Sequence, residues 1–145
     1  TRLIGGKTDI VMMLNGALAG LVAITAEPLT PGPITAMFIG SIGAIIMYFG
    51  TKMLESYGLD DVVGAIPVHM FAGIFGTLVV PLTNPDTSFG TQFIGTASVC
   101  IFSFGLSWAT FTILKSTVGL RISKAAEKLG TDKAEVGVTA YSIRD

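Results

Sequence analysis

The stretch Val62–Val80, VVGAIPVHMFAGIFGTLVV, carries no charged side chain and holds the chain's single histidine, His69. A run this long and apolar reads as a membrane span, because a hydrocarbon core about 30 Å thick takes about 20 apolar residues at a rise of about 1.5 Å each. On a 3.6-residue period Ala65, His69, Ala72, Gly73 and Gly76 fall on one face. His69 is therefore expected on a strip of small residues, which either admits a neighbouring helix or leaves open space beside the ring. Pro67 lies near the start of the run, where a missing backbone donor is tolerated; a helix beginning earlier would be kinked there. Counted from Val62, the helical rise puts His69 about 10 Å into the helix.

An imidazole at such a depth is costly unless its nitrogens find partners, so an ionisable group inside a membrane is a functional candidate by default. Neutral imidazole has one donor and one acceptor and can pass a hydrogen bond along a narrow path. The competing reading is a structural histidine bonded to a neighbouring helix.

The rest of the chain has the same character. Of its 145 residues 50% are hydrophobic and only 13% are charged, against about 25% charged in an average soluble domain. Besides the segment around His69, taken as 62–82, three apolar segments stand out: 10–26, 34–51 and 89–114, the last with an extension toward Leu120. The first stops at EPLTPGP, whose prolines and Gly32 rule out continued helix; the second is followed by KMLESYGLDD and the third by TNPDTS. The expected fold class is thus an all-α integral membrane protein with four transmembrane helices.

Every Lys and Arg lies before the first segment, between the second and third, or at and beyond the end of the fourth. The loops around Glu27 and Asp86 have none, so the positive-inside rule places both ends of this segment in the cytoplasm. Residues 1–120 then form the membrane region and 121–145 a cytoplasmic tail, with a short helix over 123–129 capped by Ser123 and ended by Gly130. Small residues repeat along the spans, at Gly16 and Gly20, at Ala36, Gly40 and Ala44, and at Ala72 and Gly76. Such stripes mark close helix contacts in lipid.

Function classes narrow accordingly. A net charge of −1 argues against nucleic acid, and the lone Cys100 gives neither an intrachain disulfide nor a metal cluster. Asp60 and Asp61 are adjacent carboxylates, and interaction with a helix N-terminus accounts for them. No nucleophile triad, zinc motif or phosphate loop is present, so neither an enzyme nor a cofactor is expected. The sequence starts at Thr1 and has no cleavable signal pattern, which reads as a piece of a longer polypeptide.

LNGALAGLVAITAE (Leu14–Glu27), DDVVGAIPVHMFAGIFGTL (Asp60–Leu78) and GLRIS followed by EKLGTD and GVTAY closely resemble the ammonium transporter (Amt/MEP/Rh) family, over its last four transmembrane helices and the start of its tail. The resemblance implies a homotrimer of eleven-helix subunits with an inverted internal repeat, each enclosing a hydrophobic pore with paired histidines. His69 matches the second of the pair, and Ala65 is added as a residue of the pore wall. It also implies that ammonium is deprotonated at the outer mouth and crosses as ammonia. In the tail Glu127, Gly130 and Asp132 match the family's ExxGxD pattern, and Gly137, Ala140 and Tyr141 its closing segment. Such tails couple subunits, and some bacterial members are closed from the cytoplasm by a PII-type signalling protein. That points to the bacterial inner membrane. Gly64, Pro67, Met70 and Val136 depart from residues common in the family. The first histidine of the pair belongs to helices outside this sequence. An ammonium sensor, with the same membrane domain fused to a signalling output, and a non-transporting scaffold subunit are the alternatives.

Overall fold

A computed structural model describes residues 6–140, which are helical, with no strand among them. Tyr141, expected in the closing segment of the tail, lies outside the described residues. The chain falls into two compact units divided between Cys100 and Ile101.

The first unit is built on helix α1 (Ile10–Thr25) and helix α2 (Pro33–Ser56). The next helix is composite: a π-helical turn Ile66–Phe71, then α3 (Ala72–Val79), then a 3₁₀ turn Val80–Leu82. Local chemistry sets each boundary. Asp9 caps α1, its Oδ1 accepting the Met12 N–H at 3.0 Å. Pro33 occupies the first turn of α2, where its fixed φ suits a helix and no donor is lost.

Where α2 ends, the structure departs from the expected segment. The apolar run stops at Thr51, yet the helix continues to Ser56, because its stop is conformational. Gly58 takes φ +68°, and the Leu59 N–H reaches back to the Leu54 carbonyl at 3.0 Å. The Lys52–Glu55 ion pair on this extra turn, 2.8 Å, is exposed at both partners. Pairs of this kind contribute little, because water screens them.

The small-residue stripes do mark close contacts. A Cβ on Gly20 would lie 3.2 Å from the Gly40 carbonyl oxygen, so the α1 and α2 backbones approach closely there. Gly43 is tighter still, since a Cβ would meet the Ala23 methyl at 2.6 Å. Gly76 on α3 faces the backbone of Ala23 with no room for a methyl. Thus α1 packs against both α2 and α3, around a core of Met12, Ala19, Met47, Val68 and Ala72, with Val22 and Tyr48 at its margin.

Two loops tie the ends of this unit together. Glu27 Oε2 accepts a hydrogen bond from Asn84 Nδ2 at 3.0 Å, and Glu27 Oε1 one from the Leu29 N–H at 3.3 Å. The loop after α1 and the loop after Leu82 therefore lie at the same end of the unit.

Helix α4 (Phe89–Thr117) starts at Ser88, whose hydroxyl accepts the Thr91 N–H, and none of its residues is buried. It stops three residues beyond Leu114 and short of Leu120, because Gly119 adopts φ +85° and its N–H closes on the Leu114 carbonyl at 2.9 Å. Among the described residues two helices, α2 and α4, are long and apolar enough to cross a membrane unaided, at about 36 and 43 Å by the helical rise. The other two candidates are shorter, Ile10–Thr25 and Ile66–Leu82.

The second unit includes the tail. Helix α5 (Lys124–Leu129) has the caps expected of it: Ser123 Oγ accepts the Ala126 N–H at 3.1 Å, and Gly130 at φ +96° ends it. A π-helical turn over Asp132–Val136, which nothing in the sequence announced, follows.

Candidate functional site

The composite helix around His69 begins later than the apolar run. Gly64 is held at φ +72°, a left-handed conformation that interrupts helix, so Val62–Gly64 form a turn and the first helical residue is Ala65. His69 is then four residues in, about 6 Å by the rise rather than about 10 Å. Asp61 serves this start directly. Its two carboxylate oxygens accept the N–H groups of Ala65 at 2.9 Å and Ile66 at 2.7 Å, and its carbonyl accepts that of Gly64 at 3.1 Å. Pro67 needs no such partner, having no N–H, and the Val68 N–H makes the first bond back into the turn, to the Gly64 carbonyl.

The expected single face is split. Ala72 and Gly76 are buried against α1, whereas Ala65 and His69 are exposed, and Gly73 is intermediate with Val22 as its nearest neighbour. The cause is the π-helical turn, in which the Ala72 N–H reaches back to the Pro67 carbonyl, five residues away. One extra residue in a turn shifts the phase of everything before it relative to everything after, and a uniform 3.6-residue wheel misses the shift. Pro67 and Val68 are the residues turned into the core, and His69 is left standing open with no hydrogen-bond partner for its ring among the described residues. The small residues of α3 serve the contact with α1; they do not line the imidazole.

Asn15 completes the arrangement and was not singled out by sequence. Its Nδ2 donates to the Val63 carbonyl at 3.1 Å, linking the middle of α1 to the turn before His69. Gly64 lies directly beneath that amide, where a Cβ would stand 2.5 Å from Asn15 Nδ2. The available signal was an amide side chain inside an otherwise apolar run. An apolar recess between α1 and α2, lined by Met12, Met13, Ala44 and Tyr48, has neither His69 nor Asn15 in its wall.

In the tail, Asp132 organises its own segment. Its carbonyl accepts the N–H groups of Gly137 and Val138, and its Oδ2 accepts the Ala140 N–H at 2.8 Å. That N–H is the main reason its carboxyl is held below the ordinary aspartate value. Gly130 leaves room for the carboxylate, since a Cβ there would lie 2.6 Å from Asp132 Oδ1, and Gly137 turns the chain at φ +75°. Glu127 is different: it is exposed, and its carboxylate has no partner among the described residues.

Described residues that are helical without a strand, with apolar side chains exposed along the longest helices, have the character of a membrane protein. The profile of the Ammonium Transporter Family matches residues 1–141. Among similar proteins, "Ammonium transporter Amt2" of Archaeoglobus fulgidus is 39% identical over 97% of this chain and 34% of its own length. "Ammonium transporter Amt2" of Methanocaldococcus jannaschii is 34% identical over 96% of this chain and 35% of its own. "Ammonium transporter" of Corynebacterium glutamicum is 32% identical over 98% of this chain and 35% of its own. The chain belongs to the ammonium transporter family, and it spans about a third of the length of these relatives.

Proposed function

We propose that the chain supplies the last four transmembrane helices and the start of the cytoplasmic tail of an ammonium transporter, and that His69 is one of two histidines along its hydrophobic pore. In this reading ammonium gives up a proton at the outer mouth and crosses as ammonia. The observation that carries it is the setting of His69, exposed on an apolar helix while its neighbours Pro67 and Val68 are buried. An apolar path penalises a bare cation far more than a neutral amine, and imidazole nitrogens compensate the amine's lost water. Ala65, one α-turn before the ring and also exposed, belongs to the pore wall.

The full protein is an eleven-helix homotrimer with an inverted repeat, in a bacterial inner membrane. Helices α1 and α4, α2 and the composite helix all cross, the two short ones with local thinning of the bilayer or through their flanking residues. The Glu27–Asn84 hydrogen bond supports that topology, because it joins the two loops that lack Lys and Arg. The tail, with Glu127, Gly130, Asp132 and Tyr141, couples subunits and meets a PII-type regulator.

The test is His69→Ala in the full-length protein, with methylammonium uptake measured across pH. Uptake should fall by at least tenfold and its pH dependence should change. Unchanged flux with unchanged selectivity would remove His69 from the path.

A further inference from the structure

We infer that Asn15 is a positioning residue for His69, setting the ring's direction through the turn that precedes it. The inference rests on the pore reading of His69.

Two side chains hold the start of the composite helix. Asp61 takes the Ala65 and Ile66 N–H groups, and Asn15 takes the Val63 carbonyl. The two act differently. Asp61 lies in the same stretch of chain as the groups it caps, so it stabilises the turn without fixing where the turn sits. Asn15 is 48 residues away, on α1. Its bond anchors the turn to the body of the unit.

The anchor has little slack. Gly64 is buried, its φ of +72° directs the Val63 carbonyl toward α1, and its missing Cβ is the space in which the Asn15 amide sits. Downstream, Pro67 and Val68 are fully buried. His69 thus leaves the core between an anchored turn on one side and a packed Ala72 on the other. The π-helical turn between them is the flexible part of this span, because its i→i+5 bonding can relax to an α-turn if the preceding anchor is free to move by one residue. Such a relaxation would rotate His69 away from its present face while leaving α3 packed. Loss of the Asn15 amide would release the turn from α1, and that freedom is what permits the rotation.

The experiment compares Asn15→Leu, Asn15→Asp, His69→Ala and the double variant Asn15→Leu/His69→Ala in the full-length transporter. Methylammonium uptake is normalised to the protein present in the membrane. Asn15→Asp is nearly isosteric and at neutral pH cannot donate, so it preserves packing where leucine does not. Both Asn15 variants should lower maximal uptake about tenfold with the apparent KM changed less than threefold, and the double variant should be no slower than His69→Ala. Coupling of this kind is what residues acting through one another show. Full uptake by Asn15→Asp, or losses that multiply in the double variant, would overturn the positioning role. Unchanged uptake in His69→Ala alone would instead overturn the pore reading on which it rests.

Discussion

At the scale of single residues, two glycines on α3 separate what sequence spacing could say from what packing decides. Gly73 and Gly76 share the strip expected from a uniform helical period, and a helical wheel treats them alike. In the structure a Cβ at Gly73 would meet Val22 Cγ1 at 3.6 Å, an ordinary contact, whereas one at Gly76 would run into the backbone of Ala23. Backbone cannot move aside as a side chain does. Gly76→Ala should therefore destabilise by about 1–3 kcal/mol, the usual cost of overpacking. Gly73→Ala should be neutral or slightly stabilising through the helix propensity of alanine, worth up to about 1 kcal/mol. Thermal unfolding of the two purified full-length variants checks this, and equal melting temperatures would contradict it. Gly64→Ala should also destabilise, since it combines a left-handed φ with a clash against Asn15, at a conformational cost of about 1–2 kcal/mol. Sequence made the small residues visible as contact markers, but not Gly43 and Gly50, whose closeness to Ala23 and to Phe71 depends on which faces the helices turn to each other.

At the scale of elements, the helices were legible as apolar runs and their ends were less so, for an identifiable reason. Hydrophobicity reports what an environment tolerates; the ends are set by backbone conformation. Gly58, Gly64 and Gly119, all at positive φ, moved the boundaries of α2, the composite helix and α4 away from the limits of their apolar runs. The π-helical turn at Ile66–Phe71 was hidden for a similar reason, because it changes the period on which the pattern is read. The tail helix was legible at both ends, since Ser123 and Gly130 are capping residues by type. Asp132 adds a prediction for this element. Its carboxyl is held below the ordinary aspartate value of 3.8 chiefly by the Ala140 N–H. Binding to the charged form depresses the folded pKa, so the stabilisation is complete above the ordinary value and disappears as pH falls through the depressed one. The closure over Asp132–Ala140 should thus be independent of pH near neutrality and open only in strong acid. Asp132→Ala should open it at neutral pH, with trypsin cutting after Lys133 several-fold faster than in the parent, while Asp132→Asn, which still offers an acceptor oxygen, should retain most of the protection. Cleavage rates equal in all three would show that the Ala140 bond does not hold the segment.

At the scale of the whole molecule, charge and topology bear on each other. Apolar side chains stand exposed along α4, among them Phe93, Phe102, Phe104 and Trp108, and the chain is about a third as long as its relatives. Lipid or further helices are the surroundings such a surface requires. The apolar character of the helices was legible in composition, whereas the setting of His69 was not, since the π-helical turn that leaves the ring exposed changes the period on which a helical face is read. The Glu27–Asn84 link, which no sequence pattern revealed, joins the two loops that charge placement puts outside. A charged group is far more costly to drag across a bilayer than to leave in water, so the proposed topology keeps the Lys-bearing segments in the cytoplasm and brings those two loops out opposite. In full-length protein carrying Cys100→Ser, a cysteine placed by Asp86→Cys should therefore react with a membrane-impermeant maleimide on intact cells. One placed by Lys133→Cys should react only after permeabilisation. The reverse pattern would invert the orientation, and labelling of both on intact cells would put Asp86 and Lys133 on the same side, so that α4 does not cross despite its length of 29 residues.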